Sequence, residues 1–283
     1  YNAPGKDVMQ KITNFMSVDL EDYYCDLPFS KWKDYPERVV NNTHKILQLF
    51  KQNNVKATFF TLGYVAEKFP DLIHEIIQDG HELGSHTYSH LDLRKHSQEI
   101  IIEDIKKSIK IFKDVSGQEI LGFRAPFFSI DKKSFWVFDL LKELFVYDSS
   151  IFPVKTPLYG IPNAPRTIYK PTVKNPITDN AHGKLIEIPA ATHKFPIYGN
   201  VPIAGGFYLR FLPYRYLKYG IESNNKNQNP VMMYIHPKDI DPQMPKIKDY
   251  TWYYYYNLKN AFTKFEQLLQ DFKFSSAKTI LKI

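Results

Sequence analysis

Cysteine is almost missing: Cys25 stands alone in 283 residues. An intrachain disulfide and a thiolate metal cluster are therefore excluded, and a reducing compartment is favoured. Long apolar runs are missing as well. Nothing approaches the roughly 18 residues of a membrane-spanning segment, and no signal-peptide hydrophobic region is visible near the start. Residues 1–8 (YNAPGKDV) precede Met9 and read as an appended remnant, with the native start at Met9. The expectation is a cytoplasmic rather than a periplasmic protein with no membrane span. Blocks of like charge are absent despite a net charge of +7, because the lysines are scattered among Asn, Asp and Glu. Without a basic stripe, nucleic acid is not an expected partner. Repeats, low-complexity linkers and breaks in composition are also lacking, so residues 9–283 are expected to form one domain.

What is present is aromatic. Phe, Tyr and Trp make up 16% of the chain, with 20 Tyr and 21 Phe. Aromatics fill cores first, but a surplus of Tyr also suits flat surfaces for sugars or bases. Apolar periodicity predicts strands over 13–18, 55–62, 81–85, 121–126, 145–148, 230–235 and 272–274. Helices are predicted over 37–54, 66–79 (interrupted at Pro70), 98–115, 132–144 and 257–271. Strand and helix alternate, which argues for βα units in a parallel sheet or barrel. Residues 153–215 are rich in Pro, Gly and Tyr without helical periodicity. They read as long loops and short strands that shape a site.

Chemistry in parallel α/β folds gathers at the carboxyl ends of the strands. Asp19, Glu21 and Asp22 follow the first strand, and such a carboxylate cluster needs a cation or donors to offset its repulsion. His86 and His90 follow the third strand. Four residues apart, they would point the same way on a helical turn, as half of a tetrahedral metal site. Arg124 follows the fourth strand, Asp148 the fifth, and His236 a late one. Each has a bland reading, as a capping, ion-paired or buried side chain, but those readings leave their shared end of the sheet unexplained.

The order of these motifs resembles the polysaccharide deacetylases with a NodB homology domain (carbohydrate esterase family 4). The segments that carry it are Ser17-Val18-Asp19-Leu20-Glu21-Asp22, Ser85-His86-Thr87-Tyr88-Ser89-His90, Gly122-Phe123-Arg124-Ala125-Pro126-Phe127, Tyr147-Asp148-Ser149-Ser150 and Tyr234-Ile235-His236-Pro237. Ile186-Glu187-Ile188-Pro189 and Ala204-Gly205-Gly206-Phe207-Tyr208 are similar to the branch tied to bacterial exopolysaccharide synthesis. The resemblance implies a distorted (β/α) barrel of the NodB type. It also implies one divalent metal, most simply Zn²⁺ with Co²⁺ or Ni²⁺ as alternatives, held by a carboxylate with His86 and His90. Asp19 matches the family's base, His236 its acid and Phe127 its backbone oxyanion donor, while Arg124 would orient Asp19 and Asp148 would orient His236. The family's second aspartate is replaced by Leu20, which leaves Glu21 or Asp22 as the carboxylate ligand. Glu21 is preferred, because two residues along an extended strand return to the same face. The implied reaction is hydrolysis of the N-acetyl group of an acetamido-sugar in a bacterial polysaccharide or its precursor. A small non-glycan amide, an O-acetyl ester, or an inactive sugar-binding protein are the alternatives. The run Trp252 to Tyr256 (WYYYY) could line a groove, make an interface or join the core.

Overall fold

The computed structural model describes residues 12–172 and 175–283, so the remnant expected at 1–8 lies outside the described residues. Its organising element is β1, Thr13–Leu20, buried along its whole length after Thr13. Alternation sorts its side chains: Met16, Val18 and Leu20 join the large core beneath the helices, whereas Phe15 faces a small inner cluster. Ser17 and Asp19 share the inner face and meet Arg124 there. A strand buried on both sides is the signature of a parallel sheet covered by helices.

Around β1 the chain winds in βα units. In order they are α1 (Val39–Gln52), β2 (Thr58–Thr61), α2 (Gly63–Lys68), α3 (Pro70–Gln78), β3 (Glu82–Ser85), α4 (Gln98–Ser116), β4 (Gly122–Phe123), α5 (Val137–Leu144), β5 (Tyr147–Asp148) and β6 (Ile186–Glu187). A hairpin of β7 (Thr192–Phe195) and β8 (Gly199–Pro202) follows. After it come α6 (Gly206–Phe211), α7 (Tyr214–Lys226), β9 (Met232–Ile235), α8 (Trp252–Tyr255), α9 (Leu258–Asp271), β10 (Lys273–Ser275) and α10 (Ala277–Leu281). The main sheet runs β10-β1-β2-β3-β4-β5-β6, with β9 also paired to β1, and every pairing in it is parallel. Beyond β6 the chain returns to β9 through a bridge between Ala190 and Met232, and Ala191 N–H donates to the Met232 carbonyl at 3.0 Å. The sheet thus curls into the distorted (β/α) barrel that the sequence implies, with the strands' carboxyl ends opening on one rim. Among the described residues, no helix is long and apolar enough to cross a membrane.

Some boundaries differ from the sequence reading, each for a local reason. The helix expected over 66–79 is two helices, because Pro70 has no N–H to continue α2 but suits the first position of α3. The helix expected over 132–144 starts only at Val137. Before it, the Asp131 carboxylate accepts the N–H groups of Lys133 and Ser134, which holds a turn. Within 153–215, where loops and strands were expected, α6 forms from GFYLRF, a stretch of six residues too short to show helical periodicity.

Candidate active site

The rim collects what the strand ends deliver. Asp19 is the penultimate residue of β1, His86 follows β3 directly, Arg124 follows β4 and His236 follows β9. His86 and His90 do not share a helical turn, as the spacing suggested. They sit in an irregular loop in which Thr87 (φ 67°) and His90 (φ 58°) are left-handed. That backbone still brings the rings to 5.3 Å between centroids. Phe127 (φ 58°) and Phe128 (φ 48°) are left-handed on the facing loop, and the Phe127 ring lies 4.4 Å from that of His90. Strain concentrated on non-glycine residues at one rim marks a site whose geometry the fold enforces.

Second contacts fix both imidazoles. Nδ1 of His86 donates to the Arg124 carbonyl at 2.7 Å, and Nδ1 of His90 to the Cys25 carbonyl at 2.9 Å. Each Nε2 is then a lone pair, the form a metal-binding histidine takes. Glu21, His86 and His90 offer ligand atoms that all lie within 4.8 Å of one another. The Oε2 atom of Glu21 is buried without a hydrogen-bond donor and lies 2.6 Å from Nε2 of His90. Two lone-pair atoms so close need a cation or a proton between them. The residues therefore fit a small divalent ion, with one carboxylate oxygen and two imidazole nitrogens. Burial pulls the His86 imidazole down to about 4, so it stays neutral. Burial alone would raise the Glu21 carboxyl, but the His90 ring beside it and the Lys238 charge hold it well below its usual range.

Asp22, the other candidate ligand, is elsewhere. Its Oδ1 accepts Tyr23 N–H at 2.8 Å, and its Oδ2 accepts Arg38 N–H at 2.7 Å and Val39 N–H at 2.9 Å. It caps the start of α1 and does not join Glu21, His86 and His90. Glu21 meets the histidines because the chain bends after Leu20 and aims residues 21 and 22 in opposite directions.

Asp19 is held from below. The buried Arg124 guanidinium donates to its Oδ1 at 2.6 Å and also to Ser17 Oγ, the Ser149 carbonyl and Ser149 Oγ. Arg124 and Asp19 are thus paired as the sequence implied. Across the site, His236 places Nε2 3.8 Å from Asp19 Oδ2 and 3.7 Å from Glu21 Oε1. Its partner is not Asp148. Nδ1 of His236 pairs with Asp239 Oδ2 at 2.8 Å, and Asp239 is held in turn by Arg210 at 3.2 Å. Burial would lower the His236 imidazole, but the Asp239 charge outweighs it and raises the ring's affinity for a proton. Asp148 instead accepts from Ser150 Oγ and lies buried beside Glu187, deep under the rim, where burial pushes both carboxyls up. Its neighbours Ser149 and Ser150 brace Arg124 and the Ala125 N–H. The Tyr-Asp-Ser-Ser motif therefore supports Arg124 rather than the histidine.

Sequence reasoning missed three of these groups. Asp239 and Arg210 carried no motif, although a carboxylate three residues past His236-Pro237 is well placed to reach back to the ring. Lys238 donates from Nζ to Glu21 Oε1 at 2.7 Å and to Asp26 Oδ2 at 3.0 Å, and its exposed-looking position after a proline gave no hint of this. Lys238, Arg210 and Asp239, together with Asp19, Glu21 and the three histidines, border a cleft of about 510 Å³ that is also lined by Phe128, Tyr159, Tyr208 and Tyr254.

A parallel (β/α) barrel that presents a carboxylate–dihistidine site, a buffered Asp–Arg pair and an Asp-backed histidine on one rim defines a class of protein. Residues 30–142 match the family Polysaccharide deacetylase, and residues 149–282 match a domain of unknown function, DUF3473. The chain thus carries a polysaccharide deacetylase segment from residue 30 to residue 142. Asp19 and Glu21 precede the first matched segment and His236 lies in the second, so the rim is assembled across both. The peptidoglycan-N-acetylglucosamine deacetylase of Bacillus cereus is 43% identical over 121 residues, covering 41% of this chain and 43% of that protein. The chitin deacetylase of Colletotrichum lindemuthianum is 36% identical over 112 residues, 38% of this chain and 45% of that one. The chain thus spans less than half the length of these relatives. A Mycobacterium smegmatis structure assigned as a polysaccharide deacetylase shares the fold, with a TM-score of 0.58 at 17% identity over 99% of this chain and 93% of that one.

Proposed function

We propose that this protein is a divalent-metal-dependent deacetylase that hydrolyses the N-acetyl group of an acetamido-sugar in a bacterial polysaccharide or its precursor. The observation that carries this reading is the convergence of Glu21 Oε2 with the free Nε2 atoms of His86 and His90, flanked by Asp19 and His236. A bound divalent ion, Zn²⁺ first among candidates, would supply Lewis acidity for the amide carbonyl and for the attacking water. Asp19, held in place by Arg124, takes a proton from that water as its oxygen bonds to the carbonyl carbon. His236 gives its Nε2 proton to the amide nitrogen as the C–N bond breaks, since an amine anion is too basic to leave unprotonated. Asp239 keeps the ring oriented. The Phe127 backbone N–H, on its left-handed turn beside His90, serves the developing oxyanion. Acetate and a free amino-sugar result. The relatives' names support a glycan substrate, and the Ile186–Pro189 and Ala204–Tyr208 motifs support one in exopolysaccharide synthesis.

Elemental analysis of wild type and His86→Ala, paired with acetate release from N-acetylglucosamine oligomers, tests the reading. One ion per chain, lost in the variant together with acetate release, is expected. A wild-type protein that takes up no Zn²⁺, Co²⁺ or Ni²⁺ overturns it.

A further inference from the structure

The WYYYY run is neither core nor simple surface. Trp252 is 63% exposed, Tyr256 41% and Phe211, from α6, 48%. With Phe207 they close a four-membered circuit of ring contacts. Phe207 stacks on Phe211 at 5.3 Å and 17°, and Phe211 meets Tyr256 at 5.7 Å. Tyr256 meets Trp252 at 5.7 Å, and Trp252 returns to Phe207 at 6.4 Å. Among the described residues no larger cluster of exposed aromatic rings is so connected, and a soluble protein rarely leaves such a patch without use.

The platform is continuous with the cleft and rigidly tied to it. Phe207 and Tyr253 line the cleft beside His236, and Tyr253 also packs against Phe207 at 6.0 Å. Arg210, 5% exposed, donates from Nη1 to the carbonyls of Tyr253 (3.0 Å), Tyr254 (3.2 Å) and Tyr256 (2.7 Å). The same guanidinium holds Asp239, the carboxylate behind His236. One buried cation thus fixes the outer aromatic segment and the inner histidine in a single frame.

We propose that Phe207, Phe211, Trp252 and Tyr256 form a stacking platform for sugar units that flank the one being deacetylated, and that these four rings set the preference among chains of different length. This rests on the deacetylase reading of the rim. A chain whose reacting acetamide lies over Glu21, His86 and His90 has to leave the cleft, and the exit beside Phe207 is paved with flat rings suited to the apolar faces of pyranoses. Ring-face stacking reads no sequence of substituents, so the platform confers a preference for length.

The test measures binding of N-acetylglucosamine dimers to hexamers by calorimetry, alongside acetate release, for the metal-loaded wild type, Phe211→Ala/Trp252→Ala and Trp252→Phe. Thermal unfolding confirms that each variant is folded. The hexamer should bind the wild type more tightly than the dimer, and the double variant should lose about tenfold on the hexamer with the loss confined to longer chains. Trp252→Phe, which keeps a ring, should retain most of the affinity. Equal affinity of the wild type for dimer and hexamer, or an unchanged length dependence in the double variant, overturns the proposal. So does a double variant that loses binding to anionic phospholipid vesicles but not to oligomers, since the patch would then meet a membrane surface. Length-dependent binding without acetate release from any oligomer would uphold the platform while removing the deacetylase reading.

Discussion

Asp22→Ala separates the helix cap from the proposed metal site. The substitution strips the acceptor from three backbone N–H groups, those of Tyr23, Arg38 and Val39, at 2.8, 2.7 and 2.9 Å. Tyr23 and Val39 are 1% exposed, so water reaches their amides poorly. Leaving a buried donor unsatisfied costs about 1–3 kcal/mol, and losing a negative charge at a helix start adds about 0.5 kcal/mol. At about 1–2 kcal/mol for each of the two orphaned donors, and about 0.5 kcal/mol each for the half-solvated donor and the lost charge, the cost comes to about 3–5 kcal/mol. For a chain of this size that is about 6–10 °C in Tm, at about 2 °C per kcal/mol. Calorimetry measures the shift, and elemental analysis of the same sample should still find the ion. Glu21→Gln should do the reverse, losing the ion from a protein that remains folded. An Asp22→Ala variant that sheds its metal while melting with the wild type would refute the assignment of the two carboxylates.

The buried Asp148–Glu187 pair predicts a pH effect. Burial first, and then the Asp148 charge, push the Glu187 carboxyl well above its ordinary 4.5. A raised folded pKa gives stability that is complete below pH 4.5 and is lost as pH climbs toward the folded value. Glu187→Gln keeps the donor to Asp148 with no proton to lose. Urea unfolding from pH 4.5 to 7.5 should show the variant gaining on wild type by up to about 1.4 kcal/mol per pH unit, and parallel curves would argue against a raised Glu187 carboxyl. Asp239→Asn should lower kcat about 10–100-fold with metal content unchanged, because it releases the His236 ring without touching the ligands. If that variant loses the ion instead, Asp239 supports the metal site rather than the acid. Gly206→Ala would place a methyl carbon 1.7 Å from Asp239 Oδ2, so the His236–Asp239 unit must shift. A loss of about 3 kcal/mol on unfolding is expected, and a neutral result would show that α6 can slide.

The sequence by itself determined the class of fold and the chemical groups at the strand ends, though not Asp239, Arg210 or Lys238. Strand alternation put Ser17 and Asp19 on one face, and the βα rhythm put His86, Arg124 and His236 on one rim. These are local periodicities, and local periodicity is written in the chain. Tertiary structure alone decided which group serves which. Asp22 and Glu21 are neighbours in sequence, but a bend after β1 sends one to the start of α1 and the other to the histidines. Asp148 stands at a strand end as the pattern required, yet Glu187 of the next strand claims it. His236 instead takes Asp239, three residues on and locked by Arg210 from α6. His86 and His90 meet through left-handed loop residues that no helical spacing rule anticipates. Partner choice among buried charges depends on distances between segments far apart in the chain, and only the closed barrel sets those distances.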